Sequence, residues 1–140
     1  MIWRKPIVLE ELNAWHDNTL QRHIGIEFIE TGDDYIKATM PVDHRTQQPM
    51  GLLHGGASVA LAESLGSVAS VLCVDSTQKI VVGLEINANH IKSARNGIVT
   101  GITRPIHLGR STQVWEIKIF NEDDQLICIS RITNAILDRK

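Results

Sequence analysis

The sequence predicts an α+β fold in which one long helix is wrapped by a curved antiparallel sheet. Residues 54–73 are almost all small or apolar, as in a helix that is buried on nearly all sides. From residue 79 onward, apolar and polar residues alternate, which is typical of half-buried strands. No helix is predicted between the last four strands, so we expect them to be antiparallel neighbours. A sheet with one apolar face can bury it only against the long helix.

The predicted elements follow in order along the chain. Two short helices come first, one with acidic residues in its first turn and one ended by Gly25. Strands are separated by turn signals such as Gly32-Asp33-Asp34. The helices are predicted at Val8–Ala14, Asp17–Ile24 and His54–Cys73, and the strands at Ile26–Thr31, Tyr35–Met40, Lys79–Asn89, Ile98–Ile106, Gln113–Phe120 and Leu126–Leu137. On the strand after the long helix, one face is expected to carry Val82, Leu84, Ile86 and Ala88.

Composition and charge narrow the functional classes. A chain of 140 residues with 43% hydrophobic and 21% charged residues is expected to form one domain, residues 1–140. Its net charge of −2 argues against a nucleic-acid partner. Pro6 and Glu10 interrupt the start of the chain before any signal-peptide core. Cys73 and Cys128 lie in apolar segments, so we expect reduced thiols and a cytoplasmic protein.

Glu63 is the only charged residue between Gly55 and Val74. A carboxylate in apolar surroundings is costly unless it is paired or used. It is therefore either a structural carboxylate that reaches a partner or solvent, or a catalytic one whose basicity is tuned by its surroundings. The segment is long enough to cross a membrane, but its serines, the central Glu63 and the absence of a flanking basic cluster argue against a membrane protein.

Further motif segments occur in matching order and spacing around His54-Gly55-Gly56 at the start of the helix. They read MPVDHRT at 40–46, QP at 48–49, GLLHGGA at 51–57, LAES at 61–64, VGLEINANH at 82–90 and LGR at 108–110. Together they resemble the hotdog-fold acyl-CoA thioesterases, in the branch typified by the Arthrobacter 4-hydroxybenzoyl-CoA thioesterase. Within that branch, the families of bacterial 1,4-dihydroxy-2-naphthoyl-CoA thioesterases and enterobactin proofreading thioesterases are the most similar.

The resemblance implies a hotdog fold and the hydrolysis of acyl-CoA thioesters, with aromatic acyl groups favoured. Coenzyme A is then part of the substrate, and no separate cofactor is expected. Glu63 would be the nucleophile or the general base, while the Gly55 N–H and the Gln48 side chain would polarise the thioester carbonyl. A helix N-terminus suits that task, because it offers free N–H groups and a positive dipole end.

Two further residues near this machinery have open roles. His54 is expected to orient the helix start or the carbonyl, or simply to cap the loop as a neutral imidazole. Ser67 lies one turn from Glu63 on the same face. It is expected either to hold the water or the carboxylate, or to pack against a neighbouring helix.

Helix geometry predicts a site that is shared between subunits. Gly55 and Glu63 are eight positions apart, which is roughly 12 Å along a helix, whereas both must come within about 3 Å of one carbonyl group. We expect Gln48, His54 and Gly55 of one subunit to face Glu63 and Ser67 of another. The resemblance implies the same homo-oligomer and, by family analogy alone, a dimer of dimers.

The resemblance also places the coenzyme A arm at the ends of strands. Lys92, Arg95 and Arg110 are candidates for contacts with its phosphates, although a solvated surface position is the simpler interpretation of each alone. The expected binding residues are Gly83, then His90, Ile91, Lys92 and Ser93, and then His107, Leu108, Gly109, Arg110, Ser111 and Thr112.

Other functional classes are weighed against this one. The six histidines lie in separate segments without metal-ligand spacing, so no metal site is predicted. No phosphate-binding Gly-rich loop and no Gly-x-Ser-x-Gly elbow is present. A proofreading thioesterase acting on a carrier protein, a hotdog dehydratase using His54 with Glu63, and a non-enzymatic acyl-CoA-binding module remain alternatives.

Overall fold

The computed structural model describes residues 1–140. Every element predicted from the sequence is present, with ends shifted by at most three residues. The fold is therefore the predicted combination of a central helix and an antiparallel sheet. The elements are α1 Leu9–Trp15, α2 Leu20–His23, β1 Glu27–Thr31, β2 Ile36–Pro41, α3 Gly55–Cys73, β3 Lys79–His90, β4 Ile98–Leu108, β5 Thr112–Phe120 and β6 Leu126–Asp138.

The strand order corrects one expectation. The six strands form one sheet in the order β1-β2-β4-β5-β6-β3, and every neighbouring pair is antiparallel. β3 is thus an edge strand beside β6 and is not a neighbour of β4. The connection after β3 crosses the end of the β5–β6 hairpin, because the N–H groups of Ile91 and Lys92 donate to Ile127 O and that of Ile98 donates to the Glu122 carboxylate.

Helix α3 packs against the face of the sheet and contacts strands β2 to β6. Leu61 and Leu65 are fully buried and lie against Gly101 on β4, where a Cβ would be 2.6 Å from Leu65 and 3.4 Å from Leu61. Each such side chain contributes roughly 1.5–3 kcal/mol through its burial. The helix approaches the sheet closely because Gly66 has no side chain. A Cβ at that position would collide with Ile132 on β6.

A buried polar cluster fixes the rotation of α3 about its axis. Ser70 Oγ accepts hydrogen bonds from Trp115 Nε1 and Asn134 Nδ2, both at 2.8 Å. Asn134 Nδ2 also donates to Gly66 O at 3.2 Å. A buried bond of this kind contributes about 0.5–1.5 kcal/mol net. Together they hold the face with Gly66 and Ser70 toward the sheet, so that the opposite face points outward.

The outward face of α3 corrects a second expectation. Glu63 is exposed and Ser67 is half-buried, so a single chain does not surround the helix on nearly all sides. By length and composition α3 resembles a membrane-crossing helix, but half of this apolar stretch is buried inside the fold. Its apolar character is therefore explained in part by its place in the core.

The edge strand β3 corrects a third expectation. Val82 and Leu84 were expected on a buried face, but they are 43% and 62% exposed. The pairing of β3 with β6 shifts between Gly83 and Glu85, so Leu84 is the extra residue of a β-bulge. β3 therefore presents unpaired backbone groups and apolar side chains along the same edge, a combination that favours pairing with another strand.

Candidate active site

The start of α3 carries a hydrogen-bond donor without a partner. His54 is the N-cap, and its Nδ1 accepts from the Gly56 N–H at 2.7 Å. The lone pair on Nδ1 implies that the neutral ring carries its proton on Nε2. His54 therefore caps the helix, which is one of the roles expected for it. The Gly55 N–H makes no hydrogen bond in the chain, so it is free to bind an oxygen atom at the positive end of the helix dipole.

Gln48 presents a second free donor near Gly55. A tight turn precedes the helix, in which the Gly51 N–H donates to Gln48 O at 2.9 Å and Gly51 takes a φ of 78°. In this turn the Met50 N–H donates to Gln48 Oε1. Because the amide oxygen is occupied, the Gln48 side chain offers its NH₂ group to the surroundings.

A cavity of about 310 Å³ joins these two donors to the end of β3. His90 lies against the helix start, since a Cβ on Gly55 would be 2.9 Å from its Nε2. Six residues predicted for the site therefore come together here from distant parts of the sequence. They are Gln48, Gly55, His90, Ile91, Lys92 and Ser93. With His54 we call them the oxyanion half-site.

The carboxylate of Glu63 lies elsewhere, over Gly83 on β3. Its Oε1 is 3.2 Å from the position that a Cβ of residue 83 would occupy. Ser67, one turn further along α3, lines a second cavity of about 290 Å³. Sequence reasoning missed the rest of that cavity, which comes from α1, the turn after it, α2, α3 and β3. Apart from Ser64 in the LAES segment, no motif marks these residues. The missed residues are Trp15, His16, Thr19, Gln21, Ser64, Val68, Val71 and Val81.

The predicted turn 107–112 belongs with Glu63. Across the sheet, Leu108 is opposite Gln113, Gln113 is opposite Asn134, and Asn134 is opposite Gly83. The turn thus stands at the same end of the sheet as Gly83. It is held by bonds from the Gly109 N–H to Thr112 O and from the Ile136 N–H to Ser111 O, both 2.9 Å. We call Glu63, Ser67, Gly83 and residues 107–112 the carboxylate half-site.

The two half-sites lie apart in a single chain. From Gly83 to His90 the strand advances seven residues, roughly 23 Å, and Gly55 lies roughly 12 Å from Glu63 along α3. The structure therefore assembles the predicted site residues into two groups and does not unite them within one subunit. Lys92 is exposed in the oxyanion half-site, Arg95 is exposed three residues after it, and Arg110 is exposed in the carboxylate half-site.

The structure does not favour cysteine or metal chemistry. Burial raises the pKa of Cys73 to about 11 and raises the pKa of Cys128 as well. Neither thiol therefore has the lowered pKa of a nucleophilic cysteine. No three His, Cys, Asp or Glu side chains lie close enough together to hold a metal ion.

The sequence profile described as the thioesterase superfamily matches residues 50–128. The chain belongs to the thioesterase superfamily. It is 58% identical over 137 residues to the 1,4-dihydroxy-2-naphthoyl-CoA hydrolase of Escherichia coli K12, covering 98% of this chain and 100% of that protein. It is 51% identical over 137 residues to the proofreading thioesterase EntH of Cronobacter turicensis, covering 98% of this chain and 99% of that protein.

Solved structures of thioesterases match the whole fold. A mutant thioesterase from Pseudomonas aeruginosa superposes with a TM-score of 0.98 at 51% identity, covering 99% of this chain and 100% of that one. A thioesterase from Haemophilus influenzae gives a TM-score of 0.95 at 52% identity, covering 99% and 96%. The predicted hotdog fold and thioester hydrolysis are thus confirmed. The individual roles of the site residues stay predictions.

Proposed function

We propose that this thioesterase hydrolyses aromatic acyl-CoA thioesters, with 1,4-dihydroxy-2-naphthoyl-CoA as the first candidate, to the free acid and coenzyme A. Such a reaction would serve menaquinone synthesis. The observation that carries the proposal is the free Gly55 N–H beside the free amide of Gln48 in one cavity. The names of close relatives support the substrate class.

In this mechanism the thioester oxygen accepts hydrogen bonds from the Gly55 N–H and the Gln48 side chain. These donors stabilise the negative charge that develops on the oxygen as the carbonyl carbon is attacked. Glu63 either removes a proton from the attacking water or attacks the carbon itself to form a mixed anhydride that water then cleaves. In both versions the C–S bond breaks and the thiolate of coenzyme A leaves.

The edge strand β3 supports a dimer in which the half-sites of two subunits combine. Antiparallel pairing of two β3 strands, centred between Ile86 and Asn87, would bring Gly83 of one chain opposite His90 of the other. The oxyanion half-site of one subunit would then meet the carboxylate half-site of its partner. Pairing would also cover the exposed side chains of Val82 and Leu84. We extend this to a dimer of dimers by family analogy alone.

The proposed reaction uses only protein groups and water, and the chain is proposed to work in the cytoplasm with both cysteines reduced. Hydrolysis is expected to proceed without an added cofactor. It is also expected to keep its rate after dialysis against a chelator, and loss of activity that a divalent cation restores would contradict this.

The test is a thiol-release assay with benzoyl-CoA, 1,4-dihydroxy-2-naphthoyl-CoA and a set of fatty acyl-CoAs. We expect Glu63→Gln to lower kcat by about 10²–10⁴-fold while the fold is retained. Glu27→Gln, which removes an exposed carboxylate on β1, is the matched control and should keep full activity. Full-rate hydrolysis by Glu63→Gln, or a preference of the wild type for fatty over aromatic acyl groups, would refute the proposal.

A proofreading role is the second candidate, because the chain is also similar to EntH thioesterases. It predicts faster release of the same aromatic acyl group from an aryl carrier protein than from coenzyme A. Comparing kcat/KM for the two thioesters distinguishes these functions. A dehydratase would instead hydrate crotonyl-CoA.

A further inference from the structure

The cavity beside Ser67 contains a histidine with one unused ring nitrogen. His16 is only 6% exposed, and its Nδ1 is 2.7 Å from Leu12 O. A carbonyl oxygen can only accept, so Nδ1 must carry the proton, and Nε2 of the neutral ring is a lone-pair acceptor. Nε2 makes no hydrogen bond in the chain. It is accessible to solvent, since Asn134 Oδ1 is the only solvent-inaccessible side-chain nitrogen or oxygen atom that lacks a hydrogen-bond partner.

The imidazole is held in place by its neighbours. Its ring centroid is 4.9 Å from that of Phe28 and 5.2 Å from that of Trp15, which it meets at 66° in an edge-on arrangement. With the bond to Leu12 O, these contacts fix where the lone pair of Nε2 lies. His16 lines the 290 Å³ cavity, and Nε2 is the ring nitrogen that remains to accept a hydrogen bond from a molecule bound there.

We propose that His16 Nε2 accepts a hydrogen bond from a hydroxyl group on the aromatic ring of the acyl substrate. This inference rests on the proposed function, because the acyl group is placed from a thioester carbonyl at Glu63. On α3 the cavity is lined by Ser64, directly after Glu63, and by Ser67, one turn beyond Glu63 and roughly 6 Å along the helix. A ring attached to that carbonyl would therefore extend into the cavity.

The rest of the lining suits a neutral, hydroxylated ring. Trp15, Val68, Val71 and Val81 supply apolar surface for the ring faces, and no charged residue lines the cavity. An acyl group with a negative charge would find no cation there. A hydroxyl group, in contrast, would donate to Nε2, whereas a ring without the hydroxyl would cover this acceptor, exclude solvent from it and leave it unpaired, which disfavours such substrates. His16 thus selects among aromatic acyl groups by touching the substrate and takes no part in the chemical step.

The experiment compares benzoyl-CoA with its 2-hydroxy, 3-hydroxy and 4-hydroxy derivatives. We expect the wild type to hydrolyse at least one hydroxybenzoyl-CoA with a kcat/KM about tenfold or more above that of benzoyl-CoA. In His16→Phe this preference should fall to within about twofold, while benzoyl-CoA is still hydrolysed. His23→Phe is the matched control, because His23 is an exposed residue of α2 outside the cavity, and it should keep the preference.

Each outcome is decisive. A wild type that hydrolyses all four thioesters alike overturns this inference and leaves the proposed function standing. A wild type that hydrolyses none of them refutes both. If the preference persists in His16→Phe, another group recognises the hydroxyl and the inference is wrong. Circular dichroism checks folding, and His16→Leu is the second variant should His16→Phe not fold, with the same expected loss of preference.

Discussion

The carboxylate of Glu63 on α3 lies directly against the backbone of Gly83 on β3. Glu63 Oε1 is 3.2 Å from the place where a Cβ of residue 83 would be, and Asn134 Oδ1 is 3.8 Å from the same point. The absence of a side chain at position 83 gives the carboxylate its room. Because β3 is the edge strand of the sheet, a strand that pairs with this edge would also enclose Glu63.

Enlarging residue 83 is expected to displace the carboxylate. Gly83→Ala adds a methyl group that is tight against Glu63, and Gly83→Val adds more. We expect kcat to fall about tenfold for alanine and about a hundredfold for valine, since an error of one ångström in a catalytic group has effects of that size. Glu27→Val places the same side chain at an exposed position of β1, at the opposite edge of the sheet from β3, and is the control. Full kcat in Gly83→Val would contradict the proposed role of this contact.

A shared site predicts that two inactive variants restore each other. Glu63→Gln damages only the carboxylate half-site, and Gln48→Ala damages only the oxyanion half-site. When the two chains are co-expressed, half of the dimers are mixed, and each mixed dimer contains one intact site. We therefore expect about a quarter of the wild-type activity in the mixture, and about half of it after purification with two different affinity tags, which isolates the mixed dimers. Activity is measured by thiol release. A mixture as inactive as its separate parents would place the whole site within one chain.

Local sequence patterns predict the elements well but not the order of strands. The alternation of apolar and polar residues around Val82 and Leu84 indicates a strand, whichever strand it pairs with. All four strands after α3 are antiparallel to their partners, so the pattern does not distinguish pairing with β4 from pairing with β6. The order depends on the 91–97 connection, which crosses a hairpin through bonds to Ile127 and Glu122.

Only part of the candidate site can be predicted from the sequence. Gly55, Gln48 and residues 90–93 are marked by motifs and by their place at element ends, and the structure unites them in one cavity. The burial expected for Glu63 is absent because a single chain leaves that face of α3 uncovered. His16 was missed because nothing in the residues around it indicates that its ring would be buried and would line the same cavity as Ser67.

The thiols are expected to react slowly in the folded protein. Burial raises the pKa of Cys73 from 9.0 to about 11, so at pH 8 the fraction of reactive thiolate is lowered by about a hundredfold. Burial also raises the pKa of Cys128. Alkylation by iodoacetamide, followed by mass spectrometry of the intact chain, should be slow in buffer. It should be fast in the reference sample, which is unfolded in about 6 M guanidinium chloride. Equal rates in the two conditions would show that the thiols are accessible in the native state.

Close packing of α3 on the sheet predicts that a side chain at position 66 lowers the free energy of unfolding. Alanine there gains roughly 0.5–1 kcal/mol of helix propensity, but its methyl group collides with Ile132 and overpacking costs roughly 1–3 kcal/mol. We expect Gly66→Ala to lower the free energy of unfolding by about 1–2 kcal/mol, measured by urea denaturation at fixed protein concentration. Ile132→Ala removes the colliding atom, so the double variant should be more stable than the sum of the two single effects. Strict additivity would mean that the contact between Gly66 and Ile132 does not set the distance of the helix from the sheet.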